Sequence, residues 1–208
     1  MGPDKVEGPT RKAKAAATKQ RIIEAATAEF TASGYHGTPM ASIARRAAVA
    51  VQTVYFVFHT KPELFAAALD AAVLGPEAKV PTEQRWALDA VHVSRAPRAA
   101  VESFIRGSAS ILHRASALNA VAGAAAPTDP ELAEVYQTRE KLRVDTYRDF
   151  VNQLALPTGA NSERAADILI TLLSSQLYLA LLQERGWQHE DIVDWMATTI
   201  PELMLGTT

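Results

Sequence analysis

The sequence predicts an all-α protein, a small helix–turn–helix domain followed by a larger helical domain. Three observations carry this. Alanine and leucine dominate the 208 residues and few segments alternate with a period of two. Apolar residues recur at helical spacing in two short blocks between Gly34 and Lys61. Four longer segments of the same period follow, separated by proline, glycine and asparagine breaks. The expected organisation is a disordered arm over 1–17, the helix–turn–helix domain over 18–61 and the larger helical domain over 62–208.

Taken in order, Met1 to about Ala17 is polar, carries Pro3 and Pro9, and is expected to be disordered. The first helix, about Thr18–Ser33, should bury Ile22, Ile23, Ala26 and Phe30, with Gly34 ending it. Thr38 has the side chain of an N-cap and Pro39 suits a first helical position, so a second helix is expected to start there. Met40, Ile43, Ala44 and Ala47 form its apolar face. After a break at Ala48–Ala50, a third helix buries Val54 and Phe58. A rotation of about 100° per residue from those anchors turns Gln52 and Phe56 outward, flanked by Thr53 and Tyr55. Thr60 can cap a fourth helix beginning Lys61-Pro62-Glu63. Beyond a loop marked by Gly75, Pro76 and Pro81, helices are expected over roughly Arg98–Ala122, Pro130–Ala155, Ser162–Arg185 and Glu190–Leu205, the last disturbed by Pro201.

Net charge is −2, but it is unevenly placed. Residues 1–61 hold nine Lys/Arg against four acids, a balance of +5 that leaves −7 for the remainder. A basic head on an acidic body suits a head that meets phosphates. The absence of cysteine excludes disulfides, a thiolate nucleophile and cysteine metal sites. The N-terminus lacks the apolar core of a secretory signal, and the apolar run Ile168–Leu182 is interrupted by Thr171, Ser174, Ser175 and Gln176. At that length it falls short of the roughly 20 residues a bilayer needs. The expectation is a cytoplasmic protein with no membrane partner and no cofactor. His36, His59, His92, His113 and His189 are scattered without metal-ligand spacing, and no phosphate loop, HExxH or serine elbow occurs, so catalysis is not expected.

Gly34, Tyr35, Thr38, Met40, Ile43, Ala44, Ala47, Val49, Thr53, Val54, Tyr55, Phe58, Lys61 and Leu64 stand in a fixed spacing. That spacing resembles the N-terminal domain of the TetR family of bacterial transcriptional regulators, over roughly Lys19–Leu69. The Arg185-Gly186-Trp187 and Asp194-Trp195 segments are similar to that family's final helix pair. In a recognition helix, Gln52 can pair bidentately with adenine, Thr53 offers a hydroxyl and a methyl, and Val51 and Phe56 can meet thymine methyls. The resemblance implies phosphate contacts for Thr38, Tyr55 and Lys61, with His59 adjacent. Arg11, Lys12 and Lys14 form either a DNA-tracking arm or a solvated tail. Three residues depart from the pattern. Ala48 replaces a turn glycine, Ala50 a serine cap, and Val57 a histidine or tyrosine. Together they predict a slightly less stable head with fewer phosphate contacts.

The resemblance also implies a homodimer, a palindromic DNA operator, and a body that binds a small-molecule effector. Leu172, Leu173, Leu177, Leu181, Trp195, Ile200 and Leu203 are the expected dimer contacts, because Ser162–Arg185 is apolar over more than one face. Trp86, Phe104, Ile111, His113, Tyr136, Tyr147, Phe150, Gln176 and Tyr178 are the candidate effector contacts, although residues of these types at helical spacing are more often simply core. The expected function is a ligand-responsive regulator, a repressor, released when effector changes the spacing of two heads through Pro62–Leu74. An interaction protein whose helix–turn–helix has lost DNA affinity is the alternative, and steep salt dependence of duplex binding separates the two.

Overall fold

Thr10 opens the first helix: its Oγ1 accepts from the Ala13 N–H at 3.2 Å, and α1 then runs over Arg11–Ser33. The computed structural model describes residues 10–75 and 96–206. The expected disorder through Ala17 is therefore corrected for Thr10–Ala17. Thr10 caps, and Ala13 and Ala15–Ala17 have the highest helix propensity, which outweighs the polar composition. Arg11, Lys12 and Lys14 lie on this exposed helical turn rather than on an extended arm. Gly34, at φ 70°, ends α1 with its N–H on the Phe30 carbonyl.

Next come α2, Met40–Arg46, α3, Val51–Val57, and α4, Lys61–Leu74. The chain divides into two units between Ala68 and Leu69. This is seven residues beyond the expected boundary, because Leu64, Phe65 and Ala68 of α4 are buried in the first unit. Phe30 is fully buried there, edge-on to Phe65 at 4.9 Å and stacked on Tyr35 at 5.7 Å. Burying each such ring contributes roughly 1.5–3 kcal/mol.

The turn between α2 and α3 is a Schellman motif. The Val49 N–H reaches the Ala44 carbonyl at 3.0 Å and the Ala48 N–H reaches Arg45 at 3.2 Å. That pattern requires Ala48 to be left-handed, and its φ is 53°, the only positive φ at a non-glycine residue among the described residues. Ala50 stands at the cap of α3 with no side-chain bond. Both costs expected from the sequence are thus present in the structure. At the start of α4, Thr60 Oγ1 accepts from the Glu63 N–H at 3.2 Å, as its position implies.

The second unit is built from α5, Pro97–Ala125, α6, Pro130–Gln153, α7, Ser162–Leu172, α8, Ser175–Leu179, and α9, His189–Leu205. A 3₁₀ turn at Ala126–Thr128 joins α5 to α6, and a π-helical turn at Ala180–Glu184 extends α8. No strand occurs among the described residues. Asp129 and Asn161 cap α6 and α7 through their carboxylate and amide oxygens, each 3.0 Å from a backbone N–H. Helix α5 packs against α6, α8 and α9. Phe104 stacks on Phe150 at 3.9 Å, with Tyr147 edge-on at 5.1 Å. Pro201 sits buried inside α9, which continues to Leu205.

The expected single helix over Ser162–Arg185 is broken. Leu173 and Ser174 leave helical geometry, at ψ 45° and 149°, and Ser174 Oγ caps α8. Arg143 of α6 makes the break tolerable. Its Nη1 donates to the carbonyls of Ile170 at 2.9 Å and Leu173 at 3.3 Å, groups that a continuous helix would have satisfied internally. By length and composition Ser162–Glu184 does suffice for a membrane span, with a mean hydropathy of 1.7, contrary to the expectation that it would fall short. The break nonetheless leaves α7 only 11 residues, about 16 Å, against a hydrocarbon core of about 30 Å.

Ala48→Gly is expected to stabilise the head. Relief of a left-handed alanine gains about 1–2 kcal/mol and the freer unfolded chain returns about 0.4–1, a net gain of about 1 kcal/mol. Chemical denaturation of the two proteins side by side checks it, and a lower midpoint for the glycine variant would contradict the strain.

Candidate nucleic-acid interface and effector cavity

Helix α3 presents one side to solvent. Val54 is fully buried and Phe58 is 2 % exposed, and these anchors turn Gln52, Tyr55 and Phe56 outward at i, i+3 and i+4. Tyr55 is 50 % and Phe56 84 % exposed, adjacent large apolar rings left in water. Val51 and Thr53 are half-buried at the flank of this stripe. His59 is exposed, and its Nδ1 lies 3.4 Å from Glu63 Oε2, which also accepts from the His59 backbone N–H. Lys61 is half-buried, with Nζ 4.3 Å above the Tyr35 ring. The stripe expected from helical rotation is therefore the exposed face of α3.

Thr38 departs from expectation. It is fully buried, Pro39 rather than Thr38 stands at the cap of α2, and the Thr38 side chain makes no cap bond. Its Oγ1 instead shares its one proton between the Gly34 carbonyl at 2.7 Å and the Glu29 carbonyl at 3.0 Å, both of which accept. A side-chain phosphate contact by Thr38 is thus excluded, since no surface of it reaches solvent. The same stretch of α1 is held a second time, because Arg46 Nε donates to Glu29 Oε1 at 2.6 Å. That bond, with one from Ser42, holds the Glu29 carboxyl below its usual pKa. Sequence reading missed Glu29 as the centre of this tie.

In the second unit a cavity of about 100 Å³ adjoins one of about 330 Å³, and Asn119, Tyr136, Glu140, Arg143 and Ser175 line both. Of the candidate effector residues, Ile111, Tyr136 and Tyr147 line the first and Gln176 the second. Phe104 and Phe150 are fully buried core rings and line neither cavity, a correction that follows from their mutual stacking. Trp86 lies outside the described residues. The charged wall was missed: Arg139 pairs with Asp70, and Arg143 with Glu140. Burial works against the charge of Arg143, but the Glu140 hydrogen bonds more than offset it and its pKa is raised. The last turns of α4 contribute Leu69 and Val73, and Arg114 holds their end by donating to the Ala72 and Val73 carbonyls at 2.8 and 3.0 Å.

His113 and Tyr178 are brought together elsewhere. The Tyr178 hydroxyl lies 2.9 Å from His113 Nδ1 and 3.0 Å from His189 Nδ1, with the two imidazoles 4.4 Å apart. These two candidates line neither cavity and instead join α5, α8 and α9. The phenol has one proton, so one imidazole accepts from it while the other donates to it. Among the expected dimer contacts, Leu173 and Ile200 are fully buried in their own chain, which removes them from any interface. Leu172, Leu177, Leu181 and Trp195 are only partly buried and Leu203 is 56 % exposed. Trp187 packs edge-on against Trp195 at 6.0 Å.

Comparison with known proteins bears first on the head. The sequence model described as "Bacterial regulatory proteins, tetR family" matches residues 22–68. The N-terminal unit belongs to the tetR family. The HTH-type transcriptional repressor SCO4008 of Streptomyces coelicolor is 40 % identical over 67 residues, 32 % of this chain and 35 % of its own length. The match thus spans about a third of that repressor. Beyond the tetR head, whole-chain likeness is one of fold. FadR of Bacillus subtilis, solved with stearoyl-CoA, superposes with a TM-score of 0.67 at 15 % identity, covering 91 % of this chain and 99 % of FadR. A transcriptional regulator of Rhodococcus sp. Rha1 gives 0.64 at 21 % identity, covering 90 % and 96 %. The tetR family consists of regulators rather than enzymes.

Burial, and next the neighbouring His113, holds the His189 pKa below 6.5. A base with a depressed folded pKa makes the protein lose stability as pH falls from the unfolded value through the folded one. Denaturation midpoints are therefore expected to drop as the pH falls below about 6.5 in the wild type. The drop should be smaller in His189→Gln, and equal drops in both proteins would contradict this role.

Proposed function

We propose that this protein is a transcriptional regulator that binds a palindromic DNA operator as a homodimer and is released by a small molecule. The observation that carries it is the exposed Gln52–Tyr55–Phe56 stripe on α3 of a tetR-family head. An 84 % exposed phenylalanine forgoes much of the roughly 1.5–3 kcal/mol that burial would return, which is reasonable for a side chain that packs against a partner. A seven-residue helix held by a Schellman turn can enter a major groove, whose width admits one helix.

In this reading Gln52 and Thr53 meet base edges, Val51 and Phe56 pack on thymine methyls, and Tyr55, His59 and Lys61 contact phosphate. The half-buried leucines Leu172, Leu177 and Leu181, with Trp195 and Leu203, cover one another across a twofold axis. Repression then follows from occupancy of the operator, as the name of the Streptomyces relative suggests, and the site of action is the cytoplasm. The effector enters the cavity lined by Ile111, Tyr136, Tyr147, Gln176 and Arg143. The stearoyl-CoA bound to FadR supports a ligand role for a body of this fold. Because Leu69 and Val73 of α4 form part of the wall, a ligand that prefers one placement of α4 shifts the population towards it.

With an operator recovered from a random duplex pool, Gln52→Ala is expected to reduce discrimination between operator and random DNA by about 1–3 kcal/mol, roughly 5-fold to 150-fold. Lys61→Ala should instead weaken binding to both about equally and flatten the log–log salt slope by about one unit. Unchanged discrimination in Gln52→Ala, with the variant folded, would displace α3 from the reading position.

A further inference from the structure

Three charged groups line the effector cavity, Arg139, Glu140 and Arg143, yet neither guanidinium is left without a counter-charge. Both guanidinium groups in its wall are matched by acids, Arg139 by Asp70 and Arg143 by Glu140. Arg143 is committed on two sides. Its Nε lies 3.2 Å from each Glu140 oxygen, and its Nη1 holds the two carbonyls of the α7–α8 break. The remaining wall of the smaller chamber is mostly apolar, from Leu69 and Val73 to Leu142, with the neutral polar groups of Ser108, Asn119, Thr146 and Ser175 among them. Neutral amides and hydroxyls line the larger one, among them Asn119, Ser175 and Gln176.

Resting on the reading of this cavity as the effector site, we propose that it selects an uncharged amphipathic molecule. Such a ligand has an apolar chain or ring ending in a hydroxyl or carbonyl, and Glu140 is the residue that sets this selectivity. In a partly desolvated space the charge a ligand brings decides its cost. A carboxylate ligand has to lose its own hydration and separate Glu140 from Arg143, and the Glu140 charge in the wall repels it. A cationic ligand draws Glu140 away and leaves the Arg143 guanidinium without its counter-charge. An uncharged ligand makes neither demand, and Asn119, Ser175 and Gln176 can meet its polar end. Glu140 therefore works by exclusion, as a repulsive element against anions rather than as an attractive contact.

The same chemistry predicts how the selectivity inverts. Removing the Glu140 charge leaves an arginine in the wall with no acid opposite, its Nε and Nη2 no longer held by a carboxylate. The site then becomes one for carboxylates.

The test uses the full chain and two probes of equal length, n-octanol and octanoate, titrated by calorimetry at neutral pH. The wild type is expected to bind n-octanol at least about tenfold more tightly than octanoate. Glu140→Gln should raise octanoate affinity by about tenfold while n-octanol changes by less than about threefold. Ile111→Trp, which fills the smaller chamber, should abolish n-octanol binding and so place the probe in this cavity. Octanoate binding as tight as n-octanol in the wild type overturns the proposal. So does an octanoate affinity unmoved in a folded Glu140→Gln, n-octanol binding untouched by Ile111→Trp, or no binding of either probe. If Glu140→Gln does not fold, the wild-type comparison alone still decides. Operator binding measured without either probe is independent of all these outcomes. Its loss would sink the regulator reading, whereas its survival beside a failed probe comparison sinks only the ligand class.

Discussion

One left-handed residue determines how the head presents its surface. Ala48 at φ 53° lets the chain leave α2 through a Schellman turn and enter α3 three residues later. Everything on the exposed stripe depends on that turn, because rotating α3 would bury Phe56 and expose Val54. A glycine there would hold the same path with less strain. The position is held instead by burial on both sides, with Ile43 and Ala44 before it and Val54 and Phe58 after it. The Glu29 tie fixes the other end: its carbonyl takes the Thr38 hydroxyl and its carboxylate takes Arg46, so α1 clamps both ends of α2.

The body uses a comparable device at a different scale. The apolar stretch that would otherwise be one helix is interrupted at Leu173–Ser174, and Arg143 supplies the donors that the interruption requires. The same guanidinium faces the cavity and is neutralised by Glu140. Cavity chemistry and helix break are therefore joined in one side chain. The pairing of Arg143 with Glu140 and its hold on the carbonyls between α7 and α8 thus share one guanidinium.

Much of the head was legible in the sequence because its signals are local. Helical spacing alone places Val54 and Phe58 inside and Gln52 and Phe56 outside, and residue type alone marks Ala48 and Ala50 as costly. What was not legible depends on groups distant in sequence. Thr38 has the side chain of a cap, but the carbonyls of Glu29 and Gly34 turn its hydroxyl inward. The break before α8 needs Arg143 from another helix. In the cavity, a search by aromatic character found Tyr136 and Tyr147 but also took in Phe104 and Phe150, which stack on each other in the core. The arginines and acids of the wall were passed over because periodicity cannot say which charged residues on an amphipathic helix face a void.

The most direct test of the account is selection of bound duplexes from a random DNA pool by the purified protein at about physiological salt. The expected result is a palindrome whose half-sites lie about 34–36 Å apart, one helical turn, or at a longer spacing that keeps both on one face of the duplex. If no sequence is enriched by folded protein, either as purified or after bound small molecules have been stripped from it, α3 is not a DNA-reading helix and the account is contradicted.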